Sequence, residues 1–142
     1  MSELDPSDHI LRHIGGASID GDFIEPSAFR RKKKNGQLEE GLSVNWVEYF
    51  RKPTAREAIP PLLDIFAKKG RKISQKSQSK FALLNIGTAK NAAAEYTTVA
   101  IVLDAEEHDP SHSLVKDYDE ALNDQVAEQL AKVIIATFPS RP

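Results

Sequence analysis

The chain has 142 residues, 40% of them hydrophobic and 28% charged, and no cysteine. That length supports one hydrophobic core without disulfide or metal staples, and the missing thiols exclude disulfide scaffolds, cysteine catalysis and thiolate zinc sites. The net charge of −2 hides a segregation: residues 1–29 carry one basic and six acidic side chains, residues 30–80 fourteen and five, and residues 81–142 four and ten.

In chain order, the acidic start with Glu3, Asp5 and Asp8 lacks the basic and apolar regions of a signal peptide, so a cytoplasmic protein is expected. Asp5-Pro6-Ser7-Asp8 supplies an N-cap, a first-position proline and first-turn acids, and Gly15-Gly16 a stop, which together predict a short helix over residues 6–14. A strand over His9–Ile14 is the competing reading, because so short an apolar stretch does not settle its own period. Residues 15–27 read as loop. Residues 28–33 are expected to form one arm of a hairpin that turns at Asn35-Gly36, with residues 42–50 returning. Within the returning strand Leu42, Val44 and Trp46 alternate with Ser43, Asn45 and Val47, so Ser43 and Asn45 share a face.

Thr54 and Glu57 make a capping box, and Pro60-Pro61 divides a turn over 54–59 from a helix over 61–69 that Gly70 ends. Residues 71–80 read as polar loop. Residues 81–86 and 97–103 are the clearest strands, expected to pair as neighbours at the centre of a sheet covered by helices. Residues 105–114 read as loop. The strongest helical period runs from Asp117 to Phe138, predicting a long C-terminal helix across the sheet. These elements give a single α+β domain over residues 1–142, a small, largely antiparallel sheet covered by helices. No apolar run approaches the length of a membrane span.

P-loop, GxGxxG, GxSxG, HExxH and calcium-loop motifs are all absent. The histidines fall into two pairs of identical spacing, His9 with His13 and His108 with His112. With Asp109 they form a candidate set for zinc or another divalent cation, provided that the two segments meet, and would then serve a hydrolase or nuclease. A metal-free variant uses histidine as general base near Arg12, Ser43 or Asn45. The same residue types are equally satisfied as surface and capping groups.

The basic middle offers Arg30, Arg31, Lys32, Lys33, Lys34, Lys68, Lys69, Arg71 and Lys72 as a surface for a larger protein partner or a nucleic acid. The opposite reading folds these cations against the protein's own acidic ends. The leading expectation is a small non-enzymatic binding or accessory protein that needs no cofactor and docks through residues 30–80. The histidine-based or metal-dependent hydrolase is the alternative.

The segments DHILRH (8–13), SAF (27–29), LSVNWVEYF (42–50) and DPSHS (109–113) together resemble a group of short uncharacterised bacterial proteins over most of the chain. That resemblance implies a bacterial, cytoplasmic origin and a partner encoded nearby. It transfers no catalytic or binding residue.

Overall fold

Alternating burial along short β-rich stretches produces, beside two hairpins of two-residue strands at residues 19–24 and 33–38, the seven strands of a main sheet in the computed structural model, which describes residues 2–141. They are β1 (Ser2–Glu3), β2 (His9–Ile14), β3 (Gly41–Trp46), β4 (Lys80–Asn85), β5 (Ala100–Leu103), β6 (His112–Lys116) and β7 (Ala136–Pro139). All seven join one antiparallel sheet in the order β1-β5-β6-β3-β2-β4-β7. Three helices, α1 (Ile59–Lys68), α2 (Ile86–Ala93) and α3 (Asn123–Lys132), cover it. The architecture is α+β, as the sequence predicts.

Because successive strand residues point to opposite faces, the sheet separates two apolar layers. On one face Ile10, Ile14, Leu42, Val44, Leu84, Ile101 and Val115 pack with Ala89 and Ala93 of α2 and Val126 and Leu130 of α3. On the other, Leu11 and Phe81 pack with Ile59, Leu62, Leu63 and Phe66 of α1. Pro60 and Pro61 sit in the first turn of α1, where an absent N–H costs no helix bond. Thr54 Oγ1 accepts from the Glu57 N–H and donates to its carboxylate, the predicted cap. Gly70, at φ 84°, follows the helix end.

Four local expectations give way to tertiary pairing. Residues 9–14 form a strand rather than the expected helix, because β3 and β4 bond to both edges of the segment. The Asn35-Gly36 turn forms with φ of 54° and 79°, but it joins only Lys33–Lys34 to Gln37–Leu38. Residues 42–46 pair instead with β6 and β2, while Ala28 lies in a 3-10 turn over Pro26–Phe29. The strands at 80–85 and 100–103 are not neighbours: β4 lies between β2 and β7, and β5 between β1 and β6.

The stretch between those two strands is the helix α2. The Asn85 side chain accepts from the Thr88 N–H at 2.9 Å and the alanines of residues 89–94 favour helix. Gly87 admits the Pro6 carbonyl, 3.0 Å from where a Cβ would lie. The C-terminal helix is present, as a 3-10 turn over Glu120–Leu122 running into α3, but it ends at Lys132. Beyond it the β-branched run continues into β7, which pairs with the edge of β4.

Gly41 lies where β3 meets β6, and a Cβ there would be 2.9 Å from the Val115 carbonyl oxygen and 3.0 Å from Leu114 Cβ. Gly41→Ala is therefore expected to push two central strands apart and destabilise the fold by about 1–3 kcal/mol. Urea unfolding will read this as a lower midpoint at unchanged slope.

Candidate functional site

Pairing between β2 and β3 covers only Ile10↔Trp46 and Leu11↔Asn45. Beyond those residues the strands part, and the Arg12 side chain enters the opening, its Nε donating to the Ala28 carbonyl at 3.0 Å and its Nη1 to the Ser43 carbonyl at 2.8 Å. A cleft of about 360 Å³ occupies the divergence, lined by residues of β2, β3, β6 and the end of α1.

Register places the reactive groups of one wall. Asn45 faces His112 across the β3–β6 ladder, so Ser43, two residues along the same face, is the diagonal neighbour of His112. The β5–β6 hairpin extends one step past Ser113↔Leu103, where the Asp104 N–H donates to the His112 carbonyl at 2.8 Å. Asp104 is thereby brought beside the imidazole. His112 Nδ1 lies 3.1 Å from the Asp104 carbonyl oxygen and 3.3 Å from its carboxylate, with the Glu106 carboxylate at 4.0 Å. Its Nε2 is 3.2 Å from Ser43 Oγ.

A carbonyl oxygen only accepts, so in the neutral ring the proton resides on Nδ1 and Nε2 is the acceptor. Ser43 then donates its hydroxyl proton to His112. The His112 side chain is 11% exposed, whereas Ser43 opens to the cleft.

The loop between β5 and β6 is held by Asp109, which is fully buried. Its carboxylate oxygens lie 3.1 and 3.0 Å from Asn45 Nδ2, Ser111 Oγ donates to it at 2.9 Å, and Lys69 Nζ lies at 3.3 Å. Burial works against the charged carboxylate, but the hydrogen bonds from Asn45 and Ser111 and the Lys69 charge outweigh it and hold its pKa below the ordinary value. Lys69 also pairs with Glu106 at 2.9 Å.

The other end of the cleft is cationic. Arg71 stacks on Phe66, 4.5 Å from the ring centroid, with Nη2 3.3 Å from His13 Nδ1. Burial, then the charges of Arg71 and Arg12, push the His13 pKa down to about 4. Burial likewise lowers the pKa of Arg12 against the opposing field of Glu39.

The five residues expected to hold a metal are only partly assembled. His13, Asp109 and His112 line the cleft. His9 lies elsewhere, bonded to Glu48 at 2.8 Å, because residues four apart on a strand are separated by about 13 Å instead of sharing a helical face. His108 is exposed beside Glu107. Among the described residues no group of three or more His, Asp or Glu side chains is placed to hold one metal ion.

The basic segment divides similarly. Arg30 pairs with Asp124 at 2.8 Å, Lys33 with Glu120 at 2.8 Å, and Lys69 with Glu106 and Asp109. Arg31 is 6% exposed and lies over the Tyr118 ring, with its guanidinium bonded to the Glu39 and Tyr118 carbonyls. Lys32, Lys34, Lys68, Arg71 and Lys72 have no ion-paired carboxylate among the described residues.

Sequence reasoning singled out His112 and the shared face of Ser43 and Asn45 but missed Asp104. Its only signal is its place at the end of an apolar strand, eight residues before His112. Among the described residues no helix is long and apolar enough to cross a membrane. Comparison with protein-family models, curated proteins and solved structures gave no match.

Proposed function

We propose that the chain is a metal-independent hydrolase in which Ser43 is the nucleophile, His112 the general base and Asp104 the residue that orients it. The observation that carries this reading is the chain of contacts from the Asp104 carboxylate through both nitrogens of one imidazole to a cleft-facing hydroxyl. Serine is a weak nucleophile at its own pKa and needs such a base. As Ser43 Oγ attacks an ester carbonyl, Nε2 takes its proton, and Asp104 stabilises the imidazolium. His112 then returns the proton to the departing alcohol. Water, deprotonated by the same nitrogen, cleaves the acyl-serine, releasing the acid and restoring the hydroxyl. The buried ring and its two Asp104 contacts favour a fixed orientation, which this chemistry requires.

The docking role expected for residues 30–80 draws on fewer free cations than the sequence offers, since Arg30, Lys33 and Lys69 are ion-paired and Arg31 is buried.

A fluorophosphonate probe followed by peptide mass spectrometry tests the reading. Modification is expected on Ser43, lost in Ser43→Ala and strongly slowed in His112→Gln. An unmodified Ser43 under conditions that saturate a control serine hydrolase would refute the assignment.

A further inference from the structure

Positive charge converges at one end of the cleft with little to neutralise it. Arg12, Lys32 and Arg71 all line it, and none is ion-paired to a carboxylate among the described residues. Glu39, whose carboxylate accepts from the Lys32 backbone N–H at 2.8 Å, contributes an opposing field at Arg12, one carboxylate against three cations. At the opposite end Lys69 is matched by Glu106 and Asp109, so the imbalance is local to the end that holds Arg12 and Arg71.

Two of these groups are also held in place. Arg12 is tied by Nε and Nη1 to two carbonyls on different elements, leaving Nη2 with no acceptor among the described residues. Arg71 lies over the Phe66 ring. His13 accepts from Arg71 at Nδ1, a second contact that holds this guanidinium. Converging cations with a spare N–H, held before any ligand arrives, suit an oxyanion with several acceptor oxygens, because guanidinium groups bind phosphate through paired N–H···O contacts. The volume of about 360 Å³ is that of a small-molecule pocket rather than a nucleic-acid channel.

We propose that Arg12, Lys32 and Arg71 form a binding site for the phosphate group of a small phosphomonoester. This deepens the hydrolase reading and rests on it for one point only: the bond cleaved is an ester elsewhere in the same ligand, within reach of Ser43. The phosphate itself is recognised, not transferred.

Calorimetric titration of the full chain with inorganic phosphate in chloride buffer near neutral pH separates the two claims. Saturable one-to-one binding is expected, weakened about tenfold or more in Arg71→Gln by loss of a charged donor pair. Arg71 is exposed, so this variant keeps the test valid even where Arg12→Gln fails to fold. Ser43→Ala is expected to bind phosphate as the wild type does, so a failed nucleophile assignment leaves phosphate binding intact, and the reverse. Absence of saturable binding, or equal affinity in Arg71→Gln, overturns the proposal. Tight binding of a short single-stranded oligonucleotide without saturable phosphate binding also overturns it, in favour of an extended polyanion.

Discussion

Asp109→Ala is expected to destabilise the protein by about 1–3 kcal/mol, the cost of leaving buried hydrogen-bond donors without an acceptor. The carboxylate is fully buried and is contacted by Asn45, Ser111 and Lys69. Lys69 keeps Glu106 in the variant, so its charge is not stranded. Most of the cost falls on Asn45, itself 6% exposed, whose side-chain N–H groups lose both carboxylate oxygens and retain only Ser111. In a domain of this size that loss corresponds to a fall in Tm on the order of 10 °C. Asp109→Asn preserves the shape and part of the hydrogen bonding and should cost clearly less. Equal Tm values for the alanine variant and the wild type would show that the network contributes nothing to folding.

The second large effect is in pH. His13 has a folded-state pKa of about 4 against an ordinary value of 6.5. Between those values the unfolded chain binds the proton and the folded one does not, so stability falls as pH drops from about 6.5 towards 4. The contribution is complete above that window and, for this group, constant below it. At 1.36 kcal/mol per pKa unit the whole change is about 3 kcal/mol. His13→Leu keeps an apolar body against Phe66 and Phe81 but cannot titrate. The gap between urea midpoints measured at pH 7 and pH 4.5 should be smaller for this variant than for the wild type. Parallel pH dependence would mean that His13 ionises freely in the folded state. Asp109 adds loss of the same sign at lower pH, because its folded pKa lies below its ordinary value.

Elements whose identity depends on their own residues are legible in the sequence. The alternation at 42–47 fixes which residues share a face, and the proline pair and Gly70 bracket α1. Elements defined by what lies beside them are not legible. The segment 9–14 carries helix-start residues but becomes a central strand because both its neighbours in space are strands, one more than 60 residues away in sequence. Residues 136–139 extend a helical period yet pair with an open sheet edge.

The candidate site divides along the same line. Ser43 and His112 stand out by residue type and face, but their contact depends on the β3–β6 register, and the link to Asp104 depends on a hairpin whose second strand reads as loop. The doubled four-residue histidine spacing suggests chelation only under a helical reading. On β2 the same spacing separates His9 from His13 and leaves His13 in the cleft.

The parting of β2 from β3 has a consequence for hydrogen exchange. The four strands β1, β5, β6 and β3 and the three strands β2, β4 and β7 form two panels whose backbone ladder across the sheet is limited to two residue pairs, supplemented by side-chain bonds from Arg12 to Ser43, His9 to Glu48 and Trp46 to Asp8. One apolar layer backs both panels, so this seam interrupts the backbone ladder between Arg12 and Ser43 but not the core beneath it. Amide hydrogens on the facing edges beyond Leu11 should accordingly exchange with solvent faster than those within the panels.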